Sequence, residues 1–395
     1  MVFLLVAREL GPADYGALAA LVAMSAMLSP FSGLGVDFSA LRMVAQNPNS
    51  AGAVLAAAVR RILWSGSGLL LLGWAALFFW SPKGVSPWVF GLLLAAEVLP
   101  LKLTELVAKM EQGLGQLVRM GLVRLYPTLS RLLAAGVLVT FPWSEDIDRL
   151  GVWAALYFGA GALAALTALA LFKSKRVIRN FGFRPLPFRE GISFALGLVG
   201  FRLLTEADKV VVFLLGDSAE GAGSYAVAYR LVELLLIPLA AGLAVIQGRQ
   251  LALAGRGEKV RLLADSRRPL MWILLSSIVL GLALGSSGAL LAKGVLGQGF
   301  SVIAEIAGPM SLMPLAIGLR MYFDQMAVSL GLLGPRLLVV WCMGALALTL
   351  NCLFVPNYGW TVVAWVCVMC ESTTAASLAV VSFMHVRGAS GRFAT

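Results

Sequence analysis

The chain has 395 residues, of which 60% are hydrophobic and only 13% charged, and its formal net charge is +11. A soluble globular protein is about half apolar and about a quarter charged, so this chain has too little polar surface to fold in water. The composition excludes a soluble enzyme and predicts an all-α protein with many membrane-spanning helices. The basic excess does not require a nucleic-acid partner, because membrane proteins concentrate Lys and Arg in cytoplasmic loops.

Apolar runs bounded by charged residues, glycine and proline predict eleven membrane-spanning helices. A short apolar stretch, Met1 to Val6, precedes the first of them. The predicted spans lie near 17–36, 62–80, 88–108, 120–141, 150–172, 191–215, 224–246, 270–292, 302–322, 337–355 and 360–384.

The loops between these spans differ in charge from one side to the other. Loops on one side hold 21 Lys and Arg residues and those on the opposite side hold four. Because basic residues collect in cytoplasmic loops, this asymmetry predicts a cytoplasmic C-terminus. The basic segment 173–189 is predicted to be a cytoplasmic linker between an N-terminal lobe, 1–172, and a C-terminal lobe, 190–395.

The two predicted lobes repeat each other. Setting residue i against residue i+210 aligns eight identical residues over positions 2–22, including Gly11 with Gly221 and Tyr15 with Tyr225. Internal repeats of this kind are typical of transporters. The start of the second repeat, near Gly191, has its counterpart before Met1. The sequence therefore predicts two pseudo-symmetric six-helix lobes around a central cavity, with most of the first helix missing.

Several motifs resemble the polysaccharide transporter (Wzx-like) flippases of the multidrug/oligosaccharidyl-lipid/polysaccharide exporter superfamily. The stretch from Ala7 to Gly16 is followed by Gly33-Leu34-Gly35, with Arg42 beyond it. Asp208-Lys209 precedes the stretch from Gly223 to Arg230, and Asn351 to Pro356 lies near the end. The resemblance implies a flippase in the cytoplasmic (inner) membrane of a bacterium. Its substrate would be an oligosaccharide repeat unit linked to undecaprenyl diphosphate, for polysaccharides such as the O-antigen of lipopolysaccharide.

Six cations and seven carboxylates fall inside the predicted spans, and this near balance does not identify the charge of the substrate. They are Lys102, Arg131, Arg202, Lys209, Arg230 and Arg320, with Glu97, Glu105, Glu206, Asp208, Glu233, Asp324 and Glu371. Ionisable groups at membrane depth usually face a cavity or pair with one another. Helical spacing allows both, since Lys102 with Glu105, Arg202 with Glu206, Arg230 with Glu233 and Arg320 with Asp324 lie one turn apart.

The resemblance assigns candidate roles to these groups. Cations suited to the substrate diphosphate are Arg42, Lys102, Arg202, Lys209, Arg230 and Arg320. Carboxylates suited to a coupling H⁺ or Na⁺ are Glu97, Glu105, Glu206, Asp208 and Glu371. Arg42 has a simpler alternative role, because an Arg at the inner end of a helix also sets its orientation.

Other chemistries find no support in the sequence. It has no GxxxxGK[ST] nucleotide motif and no HExxH motif, and the pair Cys367 and Cys370 lacks a second ligand pair. We therefore expect no metal, no cofactor and no enzymatic activity. Gly281 and Gly285 predict close helix packing. Two alternatives remain, a multidrug cation antiporter of the same superfamily and a membrane glycosyltransferase or polymerase. The expected partners are the lipid-linked oligosaccharide, membrane lipids and a polysaccharide polymerase or other assembly protein.

Overall fold

A computed structural model describes residues 2–79, 85–143, 147–172, 188–255, 261–262, 265–291 and 298–391. These residues form thirteen α-helices and no strand, which confirms the predicted all-α fold. The helices are α1 Val2–Leu28, α2 Val36–Gln46, α3 Ala51–Phe79, α4 Pro87–Val98, α5 Pro100–Gly113, α6 Leu117–Thr140, α7 Arg149–Leu171, α8 Phe188–Leu215, α9 Ala219–Gly255, α10 Arg267–Leu291, α11 Ala307–Ser329, α12 Leu333–Tyr358 and α13 Val362–Gly391.

Nine stretches of the described residues are long and apolar enough to cross a membrane, so the chain is a multi-pass membrane protein. They match nine of the eleven predicted spans. The remaining two predicted spans, 88–108 and 191–215, correspond to α4 with α5 and to α8. Helices α4 and α5 are each short, with 12 and 14 residues. Four ionisable residues fall within eight positions of α8, from Arg202 to Lys209. The segments that are not long and apolar enough to count as spans, α4 with α5 and α8, therefore contain several of the candidate residues.

The first predicted span continues the short apolar stretch that precedes it. Helix α1 runs through both and is kinked at Gly11, which has a φ of 74°. That φ favours glycine. Pro12 is well accommodated in the first turn of the helical segment that follows, because a backbone N–H at that position has no partner within the helix. The stretch from Ala7 to Gly16 is thus part of a kinked helix.

Helices break at the end of one predicted span and in the middle of another. The break between α1 and α2 contains Gly33, Leu34 and Gly35, all with positive φ, and the break between α4 and α5 falls at Leu99, directly before Pro100. Proline has no N–H to continue the ladder of helical hydrogen bonds. The prediction of a single helix over 88–108 is therefore wrong at Leu99, and the helix predicted over 17–36 ends earlier than expected, at Leu28.

Serine hydroxyls satisfy the backbone groups that the two breaks release. Ser32 Oγ donates to the carbonyl oxygen of Val98 at 2.5 Å, and Ser29 Oγ donates to that of Glu97 at 3.3 Å. The N–H of Gly33 donates to Ser65 Oγ at 2.6 Å. Irregular backbone is tolerated at membrane depth only where such partners are present or water reaches it. The two breaks consequently form one hydrogen-bonded unit.

The chain divides into two compact units, Met1–Arg202 and Leu203–Thr395, with the division inside α8. In unit 1, α2, α3 and α5 share a core that includes Val54, Ile62 and Met110. In unit 2, α8, α12 and α13 share a smaller core. Most of the predicted linker, 173–187, lies outside the described residues, so the sequence-based domain boundaries stay a prediction.

The two glycines of the GxxxG motif pack against α11 inside unit 2. A Cβ at Gly281 would overlap the carbonyl oxygen of Ser311, and a Cβ at Gly285 would lie 3.2 Å from Ser311 Cβ. The motif thus supports close helix packing, as expected from the sequence.

Candidate functional site

In unit 1, the two helix breaks place opposite charges next to each other. Asp37 lies in the first turn of α2 and Lys102 in the first turn of α5, two residues after Pro100. Lys102 Nζ is 3.0 Å from Glu105 Oε2 and 3.4 Å from Asp37 Oδ2. The predicted pair Lys102–Glu105 is therefore present, and it is extended by a second carboxylate.

The two carboxylates around Lys102 differ in access. The side chains of Lys102 and Asp37 are 2% and 0% exposed, whereas Glu105 is 46% exposed. Among the residues that the structure describes, none donates a hydrogen bond to either oxygen of Asp37. Asp37 thus acts on Lys102 by charge, while Glu105 accepts a hydrogen bond from it.

Three further cations lie within electrostatic reach of this centre. The charges of Lys109 and Arg202 attract the Glu105 carboxylate, and the charge of Arg124 repels Lys109. We call the set the cationic cluster, and it consists of Asp37, Lys102, Glu105, Lys109, Arg124 and Arg202. Its four cations and two carboxylates leave two positive charges, and the N-termini of α2 and α5 add partial positive charge. Such an arrangement can hold an anion.

Glu97 belongs to a separate arrangement in unit 1. Tyr157 donates from its hydroxyl to Glu97 Oε1 at 2.6 Å, and Arg131 donates to the same hydroxyl at 2.5 Å. The Arg131 guanidinium also lies 3.6 Å from the Glu97 carboxylate. The charge of Glu97 is therefore matched by a neighbouring cation.

In unit 2, one lysine forms ion pairs with two carboxylates. Lys209 Nζ lies 3.2 Å from Glu206 Oε2 and 3.4 Å from Asp208 Oδ1, and it donates to the carbonyl oxygen of Thr205 at 2.6 Å. The ammonium also sits 3.9 Å from the centre of the Tyr229 ring, a cation–π contact. All three charged side chains are buried.

Asp208 is held by a second set of hydrogen bonds. Its Oδ2 accepts from the Tyr225 hydroxyl at 2.5 Å and from Cys367 Sγ at 3.3 Å, and its Oδ1 accepts from the backbone N–H of Lys209 at 2.8 Å. Cys367 is thus engaged as a hydrogen-bond donor inside a buried network. Among the described residues, no group of His, Cys, Asp and Glu is placed to hold a metal ion.

Three further carboxylates of unit 2 each pair with a cation. Arg230 bonds Glu233 at 2.6 Å, as the helical spacing predicted. Arg320 pairs with Glu371, and Arg336 pairs with Asp324 through two bonds of 2.6 and 3.0 Å. Each of these two ion pairs joins residues that are not one helical turn apart, whereas the sequence predicted a pair of Arg320 with Asp324 within one helix; that local pair stays a prediction.

We call this set in unit 2 the acidic cluster. It consists of Glu206, Asp208, Lys209, Arg230, Glu233, Arg320, Asp324, Arg336 and Glu371. Its five carboxylates exceed its four cations by one. Within it, Glu206 and Asp208 both contact Lys209.

The structure brings most of the sequence-based candidates into these two clusters. Arg42 lies exposed in α2, five residues after Asp37. Asp37 itself was missed, because the predicted helix ended at position 36 and the aspartate was read as part of a loop. The Gly33-Leu34-Gly35 run ahead of it was the available signal for a helix restart.

Comparisons with known proteins agree with the helical fold. A family model described as "Polysaccharide biosynthesis protein" matches residues 1–246. No curated relative matches the chain. Among solved structures, an inward-facing multidrug resistance MATE family transporter of the MOP superfamily has 14% identity and a TM-score of 0.76, over 98% of this chain and 93% of that chain. A MOP superfamily transporter from Pyrococcus furiosus, described with reverse polarity of its binding pocket, has 14% identity and a TM-score of 0.65, over 98% of each chain.

Proposed function

The chain belongs to the polysaccharide biosynthesis protein family of MOP superfamily transporters, and on this premise we propose that it is a flippase for lipid-linked oligosaccharide repeat units. The substrate would be carried on undecaprenyl diphosphate and cross the cytoplasmic membrane of a bacterium. The observation that supports this proposal is the charge of the cationic cluster, because two net positive charges complement a diphosphate.

Two residues of the cationic cluster are suited to bind the diphosphate. Lys102 supplies a buried ammonium at the start of α5. Arg202 supplies a planar guanidinium, which can bind two phosphate oxygens at once. Lys209, Arg230 and Arg320 are weaker candidates, because they belong to the acidic cluster of unit 2, in which carboxylates outnumber cations. The lipid tail can remain in the bilayer while the diphosphate is held.

The acidic cluster supports coupling to a cation. The cluster holds five carboxylates and four cations, so a proton or a sodium ion would balance its charge, and the buried carboxylates Glu206 and Asp208 beside Lys209 are the candidates to receive it. Glu97 and Glu371 are less suited to this role, because Arg131 and Arg320 neutralise them. The drive would then be an ion gradient, or consumption of the product by a polysaccharide polymerase on the far side of the membrane.

A multidrug cation antiporter is the second candidate. The excess carboxylate of the acidic cluster favours it, since a cationic drug would be attracted to the same charge. The proposals differ in the unit that receives the substrate. A flippase needs the cationic cluster of unit 1 for its diphosphate, whereas a drug antiporter needs the acidic cluster of unit 2.

Binding to the purified protein in nanodiscs separates the two functions. We expect undecaprenyl-diphosphate sugar to bind, and Lys102→Ala or Arg202→Ala to weaken that binding at least tenfold. Arg149→Ala is the matched control, because it removes an exposed cation whose partner Glu9 lies 3.7 Å away. Tight binding of a cationic dye that depends on Glu206, with no binding of the lipid, would refute the flippase.

A further inference from the structure

We propose that Glu105 is an exchangeable counter-ion of Lys102, which gives up the ammonium when the substrate phosphate arrives. The inference rests on the proposed function, because it concerns how the cationic cluster takes a diphosphate. It assigns Glu105 a role in setting substrate affinity and release, distinct from the coupling of a cation.

The two carboxylates around Lys102 cannot play the same part. Asp37 is completely buried in the first turn of α2, so it stays beside the ammonium at 3.4 Å. Glu105 forms the shorter contact, at 3.0 Å, yet nearly half of its side chain is accessible. Asp37 is therefore a fixed countercharge, and Glu105 is the carboxylate that is able to move.

Access to Lys102 runs through Glu105. The lysine side chain is 2% exposed, and the accessible partner at its ammonium is the Glu105 carboxylate. An ammonium has three hydrogens to donate, and carboxylate and phosphate oxygens accept them at similar distances. A phosphate group that approaches Lys102 from its accessible side therefore competes with the Glu105 carboxylate for the ammonium.

When Glu105 leaves Lys102, its carboxylate remains close to other cations. Lys109 and Arg202 both interact with its carboxylate. When the substrate takes Lys102, the glutamate can move toward either cation without being left as an isolated charge. Release follows the reverse path, since the return of Glu105 to Lys102 expels the phosphate.

A pair of the same spacing in unit 2 lacks this property. Arg230 and Glu233 are also three residues apart and bonded at 2.6 Å, and Glu233 is 38% exposed. Arg230 itself is 40% exposed, however, so an anion can reach it without moving Glu233. Because both residues belong to the acidic cluster, the control is taken elsewhere: Glu9→Gln removes a part-exposed carboxylate 3.7 Å from Arg149, outside both clusters.

The test measures binding of geranylgeranyl diphosphate to the full chain in nanodiscs. Glu105→Gln removes the competing charge, and we expect its Kd to fall about tenfold, which corresponds to about 1.4 kcal/mol. Glu105→Asp keeps the charge but shortens the side chain by one methylene, so we expect its Kd to fall as well. Glu9→Gln should leave the Kd unchanged. Transport by Glu105→Gln should slow, because release loses its competitor.

Other binding results would contradict either the exchange or the proposed function. A Kd of Glu105→Gln equal to or above that of the wild type would overturn the exchange. A lower Kd for Glu105→Gln with an unchanged one for Glu105→Asp would also overturn it, because net charge alone would then explain the effect. Wild-type binding that is insensitive to Lys102→Ala, or absent in every variant, would refute the proposed function and the exchange with it. Melting temperatures near the wild-type value show that each variant is folded.

Discussion

The buried pair of Arg320 and Glu371 gives a quantitative test of the acidic cluster. The two side chains are 7% and 4% exposed and come from different helices, α11 and α13. Removing one partner of a buried ion pair leaves the other charge without compensation, at a cost of about 3–5 kcal/mol. We therefore expect Arg320→Leu to lower the melting temperature of the detergent-solubilised protein by roughly 5–10 °C.

Two variants show whether burial is the cause. The double variant of Arg320→Leu with Glu371→Leu replaces both charges by apolar groups, so it should recover most of the lost stability. Arg149→Leu is the matched control, because its partner Glu9 is 3.7 Å away and the side chains are 45% and 29% exposed. Exposed pairs contribute at most about 1 kcal/mol.

The assay follows the unfolding of the purified protein with heat, by intrinsic fluorescence or by reaction of its buried cysteines with a dye. A melting temperature of Arg320→Leu no lower than that of Arg149→Leu would refute the reasoning. A double variant less stable than either single variant would refute it as well, because it would show that Arg320 and Glu371 do not depend on each other.

Three further predictions concern other parts of the chain. Gly35→Ala should destabilise the protein by several kcal/mol, because its Cβ would overlap the carbonyl oxygen of Gly191; Gly115→Ala, at a similar φ of 73° with nothing within 4 Å, should cost only about 1 kcal/mol in a thermal melt. Tyr225→Phe removes the 2.5 Å hydrogen bond to Asp208, so it should cost about 1–3 kcal/mol and alter the dependence of transport on Na⁺ or pH; unchanged ion dependence would contradict a coupling role for Asp208. A reporter fused after Arg387 should behave as cytoplasmic and one inserted at 145–148 as external, and the reverse result would refute the orientation drawn from the loop charges.

Local rules were sufficient for much of this fold. Apolar runs and their boundaries predicted the nine long apolar helices, and helical spacing predicted the pairs Lys102–Glu105 and Arg230–Glu233. Both kinds of signal lie within a few residues of sequence, so no knowledge of the tertiary structure was required.

The features that could not be predicted from the sequence depend on packing between residues that are far apart in the chain. The restart of a helix just ahead of Asp37 depends on three successive residues with positive φ, and Gly35 there packs against Gly191, 156 residues later. Arg320 likewise pairs with Glu371, 51 positions later in the chain and on another helix, a partner that the local spacing did not indicate. Contacts between distant segments cannot be predicted from local spacing.

The thiol of Cys367 offers an intrinsic reporter of motion in unit 2. Its sulfur lies 3.1 Å from the Tyr225 hydroxyl and 3.3 Å from the Asp208 carboxylate, on a residue that is 6% exposed. A membrane-permeant thiol reagent can reach this sulfur only when α8, α9 and α13 separate. With Cys342, Cys352 and Cys370 replaced by serine or alanine, the rate of alkylation at Cys367 would time the opening of the acidic cluster, with no added probe.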